Sequence, residues 1–243
     1  LHAPYGDRTP EEVLHYTREA VLQLVDMGCK AIVIACNTAT SAAAATLRSE
    51  LSLPIIGMEP ALKPASLLPS DGAVLVMATS MTLKLDKFHQ LMGRYGRNAI
   101  PVPCPGLVEL VEAGEMDGPR VQAKLDQLLS PHLHNPVKAV VLGCTHYIFL
   151  RQALKTYLPE GVTLVDGNEG TARELQKQLT QRDLLRNPPP DSATPAYGTS
   201  VQGKRVFLST SPGDTIPERM KALFTLALSQ AATACNSACD TVE

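Results

Sequence analysis

Two stretches of this chain share one pattern, and together they restrict its fold more than any other feature. The first is Ala31-Ile32-Val33-Ile34-Ala35-Cys36-Asn37-Thr38-Ala39-Thr40, and the second is Ala139-Val140-Val141-Leu142-Gly143-Cys144-Thr145-His146-Tyr147. In each, an apolar, β-branched run ends in a cysteine, and a threonine-containing exit opens a helical segment. Such a run reads as a strand buried on both faces, and the polar exit as a turn into a helix. Cys36 and Cys144 therefore stand at the carboxyl ends of two strands. Open α/β sheets bind ligands at that edge, because the backbone amides of the following helix point outward there.

The remaining punctuation extends the same architecture. Thr9-Pro10-Glu11-Glu12 is a helix start, with threonine as cap, proline at the first helical position and glutamates at the positive end of the dipole. That helix is expected to reach about Met27 and stop at Gly28. A helix over 39–50 and a strand Leu53–Met58 complete a β-α-β unit with a right-handed crossover. After Glu59-Pro60 a second series is predicted: strands Ala73–Thr79, Ile100–Cys104, Ala139–Cys144 and Val162–Asp166. Helices Met81–Tyr95, Gly106–Ala113, Pro119–Leu129, Ile148–Leu158 and Glu169–Gln181 alternate with them. A proline-rich surface loop, Asn187 to Gly203, then leads to a strand Arg205–Thr210, a helix from Ile216 and a polar tail past Thr233.

Composition narrows the function classes. The 243 residues suffice for one large or two small α/β domains, and the repeated unit favours two. With 22 basic and 24 acidic residues and no tryptophan, the chain carries neither the charge footprint nor the stacking platforms of a nucleic-acid binder. No apolar run approaches the ~20 residues that span a bilayer, and the start lacks a signal pattern, so a soluble cytoplasmic protein is expected. The six cysteines (29, 36, 104, 144, 235 and 239) are too few for a disulfide scaffold of this length and fit a reducing compartment.

A thiol at a helix N-terminus is expected to have a lowered pKa, which makes Cys36 and Cys144 candidate thiolates. Either alone would more often be a small buried filler; as a matched pair they favour function. Three chemistries compete. A redox pair normally lies close in sequence, and these cysteines are more than a hundred residues apart. A zinc site could use Cys36, Cys144 and His146, but no fourth ligand with finger-like spacing is present. Opposed acid and base thiols flanking one carbon need no cofactor: one removes a proton from one face while the other delivers a proton to the opposite face. His146 could orient or protonate Cys144, and Glu112 is otherwise a solvated helix-end glutamate. Asn37, Thr38 and Thr145 serve as caps and, at a ligand edge, as carboxylate binders. Cys29 and Cys104 read as core, and Cys235 and Cys239 as incidental. No phosphate loop, dinucleotide fingerprint or paired-histidine metal motif is present.

These residues resemble the glutamate racemases of the cofactor-independent aspartate/glutamate racemase superfamily. The matches are Ala3-Pro4-Tyr5-Gly6, Ala35-Cys36-Asn37-Thr38-Ala39, Gly57-Met58-Glu59-Pro60-Ala61-Leu62-Lys63-Pro64-Ala65, Pro105 to Gly114, and Leu142-Gly143-Cys144-Thr145-His146-Tyr147. The resemblance implies two parallel-sheet α/β domains related by a pseudo-twofold axis, with glutamate in the cleft between them. The implied division is 1–60 with 167–243 as one domain and 61–166 as the other. It further implies that Cys36 acts on D-glutamate and Cys144 on L-glutamate, assisted by Glu112 and His146. Tyr5, Gly6, Asn37, Thr38, Thr145 and His146 would lie near the substrate, with no cofactor and no metal.

The product would feed peptidoglycan synthesis, and a homodimer is compatible with this reading. Aspartate racemase is the alternative within the enzyme class, and a non-catalytic thiol or metal-binding protein the alternative outside it. The sequence departs from the family at Ile148, where proline is usual, and begins after the family's first strand and its Asp-Ser-Gly. The expectation is therefore a fragment of a longer product, or a chain whose exposed strand edge a partner covers.

Overall fold

The computed structural model describes residues 4–6, 8–185, 206–209, 218, 220–223 and 225. Helix α1 (Pro10–Asp26) begins with a reciprocal cap: Glu12 N donates to Thr9 Oγ1 at 3.2 Å, and Thr9 N donates to Glu12 Oε2 at 2.9 Å. Val13, Thr17 and Val21, at a spacing of four, form its buried stripe, and Gly28 at φ 82° ends it. Strand β1 (Ile32–Ile34), helix α2 (Asn37–Glu50) and strand β2 (Ile55–Gly57) follow, and the two strands pair in parallel with Ile32 opposite Ile55.

Ile32 and Ile34 pack with α1 and with the alanines of α2, whereas Val33 on the other face is 38% exposed. The expectation of a strand buried on both faces fails here, since both helices cover the same face. Thr40 stitches the two strand ends: its hydroxyl donates to Ile34 O at 3.0 Å and accepts from Met58 N at 2.9 Å. Gly57 makes this possible, because a Cβ there would lie 2.3 Å from Thr40 Cγ2.

The second series contains α3 (Leu62–Ser66), β3 (Ala73–Ala78), α4 (Ser80–Lys84), α5 (Asp86–Tyr95), β4 (Ala99–Pro103), α6 (Leu107–Glu112) and α7 (Pro119–Leu129). It continues with β5 (Val137–Leu142), a 3₁₀ segment Thr145–Leu150, α8 (Arg151–Tyr157), β6 (Thr163–Val165) and α9 (Asn168–Gln181). Its four strands are parallel in the order β4-β3-β5-β6. Leu75, Met77, Val140 and Leu142 face Leu107, Leu125 and Leu154, while Val74, Val76, Ala139 and Val141 face Leu62, Ala65 and Phe88. Helices thus cover both faces. The chain leaves β3 toward β4 on one side and returns to β5 on the other, so the carboxyl ends of β3 and β5 form the topological switch point. Beyond α9, Arg182 Nη1 donates to Ser52 O at 2.9 Å, returning the chain to the first sheet.

Three expected elements differ. The helix expected over Met81–Tyr95 is broken at Leu85, whose extended backbone (φ −80°, ψ 143°) separates α4 from α5. The expected helix Ile148–Leu158 is instead the 3₁₀ segment followed by α8. Residues 206–209, in a separate unit spanning Leu185–Glu243, are not a strand, and Val206 and Leu208 are exposed rather than buried in a sheet face. The proline-rich loop, the polar tail, Cys235 and Cys239 lie outside the described residues. Among the described residues no helix is long and apolar enough to cross a membrane.

Candidate active site

Cys36 is the N-cap of α2: its backbone is extended (φ −146°, ψ 125°) and its Sγ accepts from Ala39 N at 3.5 Å. The sequence reaches this geometry because a β-branched strand ends where Asn37 and Thr38 begin the helix. Tyr5 packs against the same core, and its phenol is pushed up by burial and then by charge on Cys36. A Cβ at Gly6 would lie 3.7 Å from Thr79 Cβ, which places the Tyr5-Gly6 turn beside the end of β3.

Cys144 follows β5 with nearly the same backbone (φ −139°, ψ 139°) and is 8% exposed. Its Sγ is 3.7 Å from His146 Nδ1, and His146 Nε2 is 2.7 Å from Glu112 Oε1 at the end of α6. When Nε2 donates to the carboxylate, Nδ1 is the nitrogen that faces the thiol. Thr145 lies between the two, half-buried in the first turn of the 3₁₀ segment.

The expected lowering of the thiol pKa values is overturned. Burial pushes both up, Cys144 to about 12, where the backbone amides of His146 and Tyr147 oppose the rise and charge on Cys36 adds to it. At Cys36 the backbone amides of Ala39 and Thr38 and the Thr38 hydroxyl pull down, but desolvation outweighs them. The helix-terminal donors are thus present; removal from water dominates. Burial thus favours the protonated thiol at both positions.

A cluster of hydroxyls joins the two strand edges. Thr38 Oγ1 lies 3.2 Å from Thr79 Oγ1 and 3.0 Å from Thr82 Oγ1, and Thr79 Oγ1 donates to Thr82 Oγ1 at 3.0 Å. Sequence reasoning missed Thr79 and Thr82. Their signal was available, since Ala78-Thr79-Ser80-Met81-Thr82 is a third strand end followed by a threonine cap, without a cysteine to draw attention. Asn37 is 4% exposed, and its Oδ1 has no hydrogen-bond partner among the described residues. A buried amide acceptor beside a thiol is suited to a ligand's N–H.

Of the other cysteines, Cys104 is buried as expected, whereas Cys29 is exposed, because it follows the turn at Gly28 instead of entering β1. Among the described residues no group of three or more His, Cys, Asp or Glu side chains is arranged to hold a metal ion. A cavity of about 630 Å³ bounded by Glu59, Lys63, Lys87, Arg94 and Asp166 includes neither thiol. Within it Lys87 pairs with Glu59 at 2.9 Å.

The Asp/Glu/Hydantoin racemase family pattern matches residues 4–175. A glutamate racemase of Clostridium perfringens is 48% identical over 186 residues, covering 75% of this chain and 72% of the relative. One from Clostridium kluyveri is 47% identical over 188 residues, covering 76% and 73%. Among solved structures, Escherichia coli glutamate racemase in complex with L-glutamate and the activator UDP-MurNAc-Ala superposes with a TM-score of 0.67 at 31% identity, covering 73% of this chain and 68% of that one. The isoform RacE1 from Bacillus anthracis gives 0.67 at 33% identity, covering 75% and 70%.

Proposed function

Because the chain belongs to the Asp/Glu/hydantoin racemase family, we propose that it interconverts L- and D-glutamate by passing a proton between Cys36 and Cys144. The observation that carries this reading is the pairing of two thiols at equivalent strand ends, Cys144 buried and Cys36 half-buried, with charge on Cys36 opposing charge on Cys144. The names of its relatives favour glutamate over aspartate. The D-glutamate formed feeds peptidoglycan synthesis, and the reading places the enzyme in the cytoplasm.

In the direction starting from L-glutamate, His146 Nδ1 takes the Cys144 proton and the resulting imidazolium is held by Glu112. The thiolate removes the α-proton: the C–H bond breaks, an S–H bond forms, and the electron pair passes to the α-carbon and its carboxylate. Cys36, still protonated, delivers its proton to the opposite face. The turnover leaves a Cys36 thiolate and a His146 imidazolium, and exchange with solvent, in which His146 releases a proton and Cys36 takes one up, restores the starting state. Starting from D-glutamate, the Cys36 thiolate, its proton first lost to solvent, removes the α-proton and the Cys144 thiol delivers its proton to the opposite face. The raised thiol pKa values make the charged form scarce but strongly basic, which suits an α-proton of low acidity. Asn37, Thr38 and Thr145 are proposed to bind the substrate's polar groups, with Tyr5 and Gly6 closing one side.

We assign 1–60 with 167–243 to one domain and 61–166 to the other; within His2–Leu184 the two separate sheets and the contact of Arg182 with Ser52 support this division. The test of function is the optical rotation of L-glutamate, D-glutamate and both aspartates incubated with the purified chain. Decay of both glutamate rotations to zero, with aspartate much slower, supports the proposal; faster decay of aspartate would replace the substrate.

A further inference from the structure

In the core that holds Cys144, Leu107, Val111, Leu150 and Leu154, Tyr147 is 0% exposed and carries the one buried O–H among the described residues of that core. A hydroxyl so placed is costly unless it is hydrogen-bonded, and it donates to Cys104 O at 3.2 Å. Burial pushes the phenol well above its ordinary pKa, so it remains a donor at neutral and alkaline pH. The two ends of this bond lead to the two halves of the Cys144 apparatus. On one side, Cys104 N donates to Ala78 O at 3.0 Å, which pins it to the end of β3. Pro105 and Gly106, at φ 86°, then turn the chain into α6, which ends in Glu112. On the other side, Tyr147 N donates to Cys144 O at 3.0 Å within the 3₁₀ segment, one residue after His146. Cys104, α6, Glu112, His146 and Tyr147 thus form a closed circuit, covalent except at two hydrogen bonds: the phenol to Cys104 O, and His146 Nε2 to Glu112 Oε1 at 2.7 Å. The second bond is poorly able to hold itself. The His146 and Glu112 side chains are 27% and 45% exposed, and a pair so open to water contributes little of its own. Its geometry has to come from the segments beneath, which the phenol ties together.

We propose that Tyr147 is a positioning residue: by bonding Cys104 O, its hydroxyl fixes α6 against the 3₁₀ segment, and so holds Glu112 on His146 and His146 Nδ1 at 3.7 Å from Cys144 Sγ. The ring of Tyr147 fills the core as a phenylalanine would. The hydroxyl adds direction, because it fixes the loop that opens α6 relative to the turn that carries His146. The side chain acts through His146 and Glu112 and not on the substrate. The meaning of this assignment for turnover rests on the racemase reading, in which His146 takes the Cys144 proton.

The test uses the full chain with Tyr147→Phe, which keeps the ring and removes the hydroxyl, and with Val121→Ala, which loosens the same core and leaves the phenol in place. Tyr147→Phe is expected to lower kcat from L-glutamate about tenfold, with KM within about twofold of wild type. In a Glu112→Gln background the same substitution is expected to change kcat by less than about twofold, because the contact it positions is already weakened. Val121→Ala is expected to keep kcat within about twofold of wild type, even where it lowers the thermal midpoint as far as Tyr147→Phe does. Ring ¹⁵N NMR of His146, identified by the signals lost in His146→Asn, supplies a readout that needs no turnover. Those signals are expected to move in Tyr147→Phe and to stay in place in Val121→Ala. Tyr147→Met repeats both measurements, so poor folding of the phenylalanine variant does not end the test. Losses that multiply in the double variant, unmoved His146 signals, or an equal loss of kcat in Val121→Ala overturn the proposal. If the wild-type chain does not racemise while the His146 signals still follow the phenol, the positioning role stands and the racemase reading falls.

Discussion

Glu112 Oε1 meets His146 Nε2 at 2.7 Å, and this contact sets which imidazole nitrogen faces Cys144. The carboxylate is part-exposed, so its worth lies in charge at the moment the imidazolium forms rather than in fold stability. Glu112→Gln keeps an acceptor and loses the charge. It is expected to lower kcat by about tenfold, with the thermal midpoint shifted by less than about 2 °C. An unchanged kcat would remove Glu112 from the relay.

The thiols of the site differ in reactivity from the exposed one. Cys29 is exposed, whereas burial raises the pKa of both Cys36 and Cys144. At pH 8, iodoacetamide is expected to modify Cys29 about tenfold or more faster than either, and saturating glutamate should protect the two site thiols further. Preferential labelling of Cys36 or Cys144 would mean that the helix-terminal donors prevail after all.

Stability should fall on the alkaline side. Burial pushes Cys104 and Cys144 up to about 12, while an unfolded thiol titrates at about 8.5. Between those values the unfolded chain binds fewer protons than the native one. The stabilisation is therefore complete below about pH 8.5 and is lost as pH rises toward 12. Urea midpoints are expected to drop between pH 8 and 10, less steeply in Cys104→Ala. A Cys104→Ala slope equal to wild type would show that this thiol does not contribute.

At the first sheet, Gly57→Ala should cost about 1–3 kcal/mol, since its Cβ would lie 2.3 Å from Thr40 Cγ2. Thr40→Ser removes that methyl and keeps both hydroxyl bonds. The double variant is expected to be more stable than Gly57→Ala alone. Additive losses in chemical denaturation would place the strain elsewhere.

Much of this arrangement was legible because it rests on local signals. The Thr9 cap, the alternation of strand and helix, and the two cysteine exits are set by neighbours in sequence, and they brought Cys36, Cys144, His146 and Glu112 to their places. What escaped depends on what surrounds a residue. Amide donors at a helix start are visible in sequence, but the desolvation that outweighs them at Cys144 is not. The exposure of Val33 and Cys29 likewise follows from which faces the helices cover. Thr79 and Thr82 acquire meaning only once β3 lies beside the start of α2.

The central claim is that two thiols act from opposite faces of one carbon, and deuterium incorporation tests it most directly. Each glutamate enantiomer is incubated in D₂O with the wild-type chain and quenched early, and Cα deuterium is measured separately in product and recovered substrate. Two opposed bases predict that the product carries solvent deuterium while the recovered substrate remains protiated, in both directions, with racemisation abolished in Cys36→Ser and Cys144→Ser. Equal deuterium in substrate and product at early times, or a single-thiol variant racemising at the wild-type rate, would contradict it.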